Sequence, residues 1–247
     1  LSHEADRICH VAALVNHSMS YEHLFAPNVA GTAEVVRLAA AEKKKPIDFV
    51  TSMAVLPLLD VQAGAANERP PSQSARLSLT NAHAEGYMVS KWAGELLLLQ
   101  ANEKLGIPVN ILRGNMMLPD ENYPGQINVP DLWTRMMSSI VRTGLAPNSF
   151  YELAADGNRG TNHYDGSPVN IVAASVVAAA NRRHEDCETY NMTNYHLEDG
   201  LSLDSFVDCI ESAGHPLTRF DDYSEWRARF EEKMNTLPED QKQHSAL

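Results

Sequence analysis

Cysteine is scarce in this chain: Cys9, Cys187 and Cys209 are the only three among 247 residues, and no two form a Cys-x-x-Cys pair. An odd, scattered set writes neither a disulfide framework nor a zinc cluster, so a reducing, cytoplasmic setting is the expectation. Long hydrophobic runs are also missing. No stretch approaches the roughly 20 apolar residues that span a bilayer, and the first residues, Leu1 to Arg7, carry no apolar signal core, so no membrane partner is expected. Basic residues are in deficit. Against 32 Asp and Glu there are 20 Lys and Arg, a formal charge of −12 that repels phosphate backbones and anionic lipid, which argues against a nucleic-acid partner. The one dense basic run, Lys43-Lys44-Lys45, reads as a solvated helix end that complements the helix dipole. The ten histidines show no His-Glu-x-x-His or comparable ligand spacing, so no metal is expected. Glycosylation-type triplets at Asn16 and Asn191 read as chance matches, and no internal repeat is found.

The residues that are present describe a folded globular protein, with 44% apolar and 21% charged side chains and enough length for one substantial core. Arg7 to Ala13 reads as a short buried strand, followed by a helix from Gly31 to Glu42 with Val35, Leu38 and Ala39 on one face. Pro46 to Ser52 is a second strand, rich in β-preferring residues. A polar stretch, 62–78, precedes a long helix from about Gly86 to Leu105 with Trp92, Leu96 and Leu99 as its apolar stripe. Pro108 to Arg113 is a third strand, and the Gly/Pro/Asn-rich segment from Gly114 to Pro130 has the composition of a substrate-side loop. Ser167-Pro168 looks like an N-cap with proline at the first helical position before a helix from Val169 to Ala180. A strand from Glu188 to Asn194 and helices near 203–213 and 223–234 complete the pattern. Strands alternating with helices imply an α/β doubly wound parallel sheet, in which ligands bind at the carboxyl ends of the strands. Those ends are Ala12-Ala13, Thr51-Ser52 and Arg113 to Met116.

Tyr87-Met-Val-Ser-Lys91 places a phenol and an ammonium four residues apart on a helix, so both project from one face about 6 Å apart along its axis. A nearby ammonium favours the phenolate, so Lys91 is expected to lower the pKa of Tyr87 and make it a usable proton donor. Ser52 ends a strand and could bind the same substrate oxygen, giving two donors for charge that develops on a carbonyl. The Tyr-x-x-x-Lys spacing is weak alone, and a surface helix pair would produce it as well. The ordered set His10-Val-Ala-Ala13, Asn28 to Thr32, Ser52 to Val55 and Tyr87 to Lys91 is more specific, and it resembles the extended short-chain dehydrogenase/reductase family. Val15-Asn-His17, Pro27 to Glu34, Ser90 to Glu95, Gly125 to Asp131, Thr143 to Tyr151 and Gln243-His-Ser narrow the resemblance to the terminal thioester reductase domain of carboxylic acid reductases. Those domains are related to the terminal reductases of non-ribosomal peptide synthetases and of aminoadipate reductase.

The resemblance implies Ser52, Tyr87 and Lys91 as the catalytic three, with Asn28 as a supporting fourth. It implies NADPH as cofactor, lined by Ala12, Ala13 and Leu14, with Ser52, Tyr87, Lys91, Asn115 and Met116 also in contact. Met53, Met116 and Gln126 are implied at the substrate mouth, and no metal. The implied reaction reduces an acyl thioester to an aldehyde, the acyl group being presented on the phosphopantetheine of an acyl carrier (thiolation) domain, with an adenylation domain in the same polypeptide. The implied division is a Rossmann part over 1–115 and a substrate part over 116–247, with 165–195 returning to the Rossmann sheet. Such families open with a strand, a Gly-rich turn and a helix that cradles the pyrophosphate, and no Gly-x-Gly-x-x-Gly cluster occurs here. The expectation is therefore a chain lacking roughly a hundred upstream residues and stopping early, estimated from three strand–helix units of about 30 residues each, and binding NADPH weakly or not at all by itself. Two other readings stay open: an extended-family dehydrogenase or epimerase acting on a free small substrate, and a non-catalytic remnant serving as an interaction surface.

Overall fold

The computed structural model describes residues 2–58, 86–120, 122–123, 125, 128, 131–196, 198 and 200–242. The chain divides into two compact units, one of Leu1–Met117 with Ser167–Thr193, the other of Leu118–Gly166 with Asn194–Leu247.

The first unit holds β1 (Ile8–His10), α1 (Tyr21–Leu24), a π-helical turn (Phe25–Ala30), α2 (Gly31–Ala40), β2 (Ile47–Ser52) and a 3-10 turn (Met53–Leu58). After these come α3 (Gly86–Leu105), β3 (Val109–Gly114), α5 (Val169–Ala180) and β7 (Cys187–Met192). Its sheet is parallel throughout, in the order β1-β2-β3-β7. Alternation sorts the strand residues onto two faces. Ile47, Phe49, Val109 and Ile111 pack with Ala39 of α2 and Leu98 and Ala101 of α3, whereas Val50 and Leu112 pack with Val176 and Ala179 of α5. Each fully buried aliphatic or aromatic side chain contributes roughly 1.5–3 kcal/mol. With helices on both faces of a parallel sheet, the architecture is the expected α/β arrangement.

Local sequence sets the element ends. Gly86 opens α3 because a Cβ there would lie 2.4 Å from both the Met19 carbonyl oxygen and the Tyr21 nitrogen. The helix stops at Gly106, whose φ of 63° belongs to the left-handed region that glycine tolerates. Three expectations need correction. The face of α3 turned to the core is Tyr87, Ser90, Lys91, Gly94, Glu95, Leu98 and Ala101, while Trp92, Leu96 and Leu99 are only half-buried. Polar side chains that find partners inside displaced the apolar stripe. Lys45 is fully buried and not solvated, its ammonium donating to the carbonyls of Ala41 and Lys43 at 2.8 Å, beyond the end of α2. Proline, not serine, occupies the N-cap of α5: Pro168 is extended with no side-chain cap, and Ser167 lies in a short strand, β6 (Gly166–Pro168).

The second unit contains α4 (Leu132–Thr143), β5 (Leu145–Pro147), α6 (Leu203–Ser212), β8 (Thr218–Phe220), α7 (Tyr223–Asn235) and α8 (Glu239–Lys242); β4 (Met116–Leu118) lies at the change from the first unit. Its helices start on side-chain caps: Asp131 accepts from Thr134 N, Asp222 from Glu225 N, and Ser202 with Ser205 forms a capping box. The core gathers Met137, Ile140, Ala146, Val207, Trp226, Phe230 and Met234, with Trp226 meeting Phe150 edge-on and Tyr223 and Phe230 at a tilt. Asp165 accepts from the Asn194 backbone at 2.9 Å, a tie between two chain segments. Among the described residues no helix is long and apolar enough to cross a membrane.

Candidate functional site

The carboxyl ends of β1, β2 and β3 lie side by side in the first unit. His10 pairs with Phe49, and Ser52 pairs with Gly114, so Ser52 stands next to the strand end that leads into Asn115. Beyond β1 the chain runs through Ala12 and Leu14, both exposed, and half-buried Ala13. A methyl-sided surface at a strand end lets a flat ligand approach the backbone, which suits one side of a nucleotide.

Asn28 fixes that surface in place. It is 3% exposed in the π-helical turn, and its amide uses every donor. Oδ1 accepts from Leu14 N at 2.7 Å, and Nδ2 donates to Leu14 O at 3.1 Å and to Ser90 Oγ at 2.9 Å. Ser90 in turn donates to the Tyr87 carbonyl at 2.7 Å. One side chain thus clamps the segment after β1 to the first turns of α3. A second chain of bonds supports it: Thr32 Oγ1 donates to the Asn28 carbonyl at 2.7 Å and so, having one proton, accepts from His10 Nε2 at 3.1 Å. Burial, reinforced by the Lys91 charge, lowers the pKa of His10 and keeps it neutral, which makes it the Nε2–H tautomer.

Tyr87 and Lys91 occupy one face of α3, buried to 8% and 3% exposure. The Tyr87 ring meets His17 edge-on, centroids 5.0 Å apart. Lys91 Nζ donates to Val50 O at 2.9 Å and sits 4.3 Å from the centre of the Phe49 ring. Burial brings the Lys91 pKa down to about 8, against the opposing pull of Glu95. The expectation that Lys91 lowers the pKa of Tyr87 is not met: burial raises it, because water no longer stabilises the phenolate. Tyr87 is accordingly a protonated phenol at neutral pH, a donor and not a base.

Ser52, Met53, Asn115 and Met116 are half-buried, and Ser52 Oγ accepts from Ala54 N at 3.2 Å. The structure therefore brings Asn28, Leu14, Ser90 and Tyr87 into one bonded network and sets Ser52 beside Gly114; Gln126 lies outside the described residues. Sequence reasoning met His10, Thr32, Ser90 and the fully buried pair Glu95–Arg113 only inside motifs or at a strand end, and gave none of them a role. Arg113 inside the apolar run Val109-Asn-Ile-Leu carried a signal, since an arginine in a buried strand needs an anion. A separate cavity of about 380 Å³, lined by residues including Phe150, Tyr151, Glu152 and Tyr223, lies in the second unit and contains none of the expected site residues.

These residues fit the ribose and nicotinamide half of a dinucleotide, by the small side chains at the strand end, the pinned backbone of Leu14 and a buried ammonium beside Val50. Comparison with known proteins agrees in kind. The NAD-binding family described as Male sterility protein matches residues 1–178. A carboxylic acid reductase of Segniliparus rugosus is 44% identical over 247 residues, all of this chain and 21% of that protein. An isonitrile lipopeptide synthase of Mycobacterium tuberculosis is 40% identical over 251 residues, all of this chain and 10% of that protein. Among solved structures, the reductase domain of a nonribosomal peptide synthetase from Mycobacterium tuberculosis superposes with a TM-score of 0.81 at 37% identity, covering all of this chain and 58% of that one. The chain thus spans about a fifth or less of the curated relatives it matches.

Proposed function

Because this chain belongs to the NAD-binding family described as Male sterility protein, we propose that it carries the catalytic groups of an NADPH-dependent thioester reductase. The substrate is an acyl group held as a thioester on the phosphopantetheine of a carrier (thiolation) domain, loaded by an adenylation domain of the same polypeptide, and the product is an aldehyde. One observation carries the reading: a protonated phenol and a buried ammonium share one face of α3 in a chain 44% identical over its whole length to a carboxylic acid reductase.

When bound, the nicotinamide supplies a hydride to the thioester carbon. Ser52 and Tyr87 hydrogen-bond the carbonyl oxygen and hold the negative charge it gains. Tyr87 then gives that oxygen its proton, which the phenol carries at neutral pH. Lys91 would anchor the ribose hydroxyls when the cofactor is bound, and its positive charge favours the phenolate that Tyr87 becomes on giving up its proton. The hydroxyl of the resulting hemithioacetal returns its proton to the Tyr87 phenolate as the carbon–sulfur bond breaks; the electron pair of that bond leaves on the pantetheine sulfur, which takes a proton from solvent to become the thiol, and the aldehyde is freed. Asn28 acts through Leu14 and Ser90, keeping the cofactor surface of Ala12, Ala13 and Leu14 aligned with α3. Asn115 and Met116 would lie by the nicotinamide when it is bound, and Met53 and Met116 would border the substrate entrance. Residues 1–115 with 165–195 form the cofactor part, and the rest of 116–247 the substrate part.

The test is NADPH consumption and aldehyde formation by the full natural polypeptide given an acyl-pantetheine thioester. Wild-type protein is expected to form aldehyde, and Tyr87→Phe to lose about 10²- to 10⁴-fold in kcat. Tyr87→Phe at the wild-type rate, or oxidation of free sugars or alcohols with no thioester reduction, would overturn the reading.

A further inference from the structure

A helix lying on a sheet normally buries carbon at the contact, and α3 buries charge. Glu95, one turn beyond Lys91, is fully buried, as is Arg113 of β3. Arg113 Nη2 donates to Glu95 Oε2 at 2.8 Å, and Nε donates to Oε1 and Oε2 at 3.2 and 3.3 Å. A buried ion pair gains little stability over well-packed apolar residues of the same volume, so stability does not account for it. Its location does. The pair joins the helix that presents Tyr87 and Lys91 to the strand whose next residues are Gly114 and Asn115.

The pair also bears on Lys91. That ammonium meets the Val50 carbonyl and the Phe49 ring of β2, Glu95 of α3 acts on it, and neutral His10 of β1 feels its charge; Glu95 in turn is held by Arg113 of β3. Glu95 is the one carboxyl group in this set, about 6 Å along the helix from Lys91; burial raises its pKa, while Arg113, Thr51 and Lys91 favour its charged form. Two cations share one carboxylate in a place that water does not reach.

We propose that Glu95 and Arg113 are positioning residues of this site: their ion pair fixes α3 against the end of β3, and the Glu95 carboxylate holds Lys91 in its ammonium form. The inference rests on the role given to Lys91 above. Burial alone drives Lys91 toward the free amine and Glu95 opposes it, so cofactor affinity that depends on Lys91 falls as pH rises through about 8. A pair that only stabilised the fold would leave that pH unchanged.

The experiment measures NADPH affinity by fluorescence titration, and kcat and KM, from pH 6 to pH 10 on the full natural polypeptide. Glu95→Gln is expected to move the alkaline fall in affinity about one pH unit lower. Glu95→Asp keeps the charge on a shorter stem; its fall is expected within about 0.3 pH unit of wild type, with kcat about 10-fold lower through looser seating of α3. Lys91→Arg, which cannot deprotonate, is expected to abolish the fall. An unmoved fall in folded Glu95→Gln, or one that persists in Lys91→Arg, overturns the proposal. Should Glu95→Gln not fold, Glu95→Asp decides, because wild-type kcat there excludes positioning. If wild-type protein reduces no acyl thioester the functional reading fails, while the pH dependence of NADPH binding still tests Glu95.

Discussion

Replacing Lys91 with methionine separates what this residue does for the reaction from what it does to the fold. Its ammonium is 3% exposed, has the Val50 carbonyl at 2.9 Å and the Phe49 ring at 4.3 Å, and titrates at about 8 in place of the ordinary 10.5. At roughly 1.4 kcal/mol per pH unit, carrying that proton in the folded state costs about 3 kcal/mol. Methionine keeps an unbranched stem and a soft terminal atom, and forfeits the Val50 bond and the ring contact, together about 1–2 kcal/mol. The net expectation at pH 7 is a gain of about 1–2 kcal/mol, which for a unit of this size raises its unfolding temperature by roughly 2–8 °C. The sign reverses with pH. Between about 8 and 10.5 the unfolded chain holds more protons than the folded one, so wild-type stability climbs across that window while the methionine variant gains nothing from this site. Calorimetry of the cofactor-free polypeptide at pH 7 and pH 10.5 reads both halves: methionine is more stable at the first pH and loses its advantage at the second. A variant less stable than wild type at pH 7, or a difference that does not change with pH, would refute the reasoning, whatever happens to activity.

Asn28→Ala removes three hydrogen bonds that join Leu14 and Ser90, an expected loss of about 2–4 kcal/mol, seen as faster hydrogen exchange in peptides covering residues 11–16. Gly86→Ala puts a methyl group 2.4 Å from the Met19 and Tyr21 backbone, so the start of α3 must shift; at least about 2 kcal/mol is expected to be lost in a denaturant titration. Trp226→Ala, at 5% exposure and in contact with three rings, is expected to cost about 3–5 kcal/mol and to raise hydrogen exchange in α6 and α7.

The strands of the main sheet were legible because β-preferring residues cluster between proline and a polar stop, as in Pro46-Ile-Asp-Phe-Val-Thr-Ser52, where only Asp48 breaks the run. The orientation of α3 was not, because hydropathy assumes that carbon faces inward, and here Ser90, Lys91 and Glu95 do so with their partners on other elements. Lys45 misled for the same reason: three carbonyls at the end of α2 receive a charge that composition assigns to water. Strands of three residues, such as β5 and β8, are too short to show a period. Spacing alone brought Tyr87 and Lys91 together, yet it could not weigh burial against charge, and burial set the direction of the Tyr87 pKa.

The π-helical turn at Phe25–Ala30 constrains the length of the chain as well as its residues. Asn28 within it reaches Leu14 and Ser90, and Thr32 just beyond it reaches His10. A π turn holds more residues than an α turn, and each residue of an α-helix rotates the next by about 100°. Deleting any one residue between Phe25 and Ala30 would tighten the turn and swing either Asn28 or Thr32 away from its partner, with every other residue type intact. In a relative of this chain, a single gap at this turn would therefore undo the contacts of Asn28 or of Thr32, and a tally of matched residues would not register it.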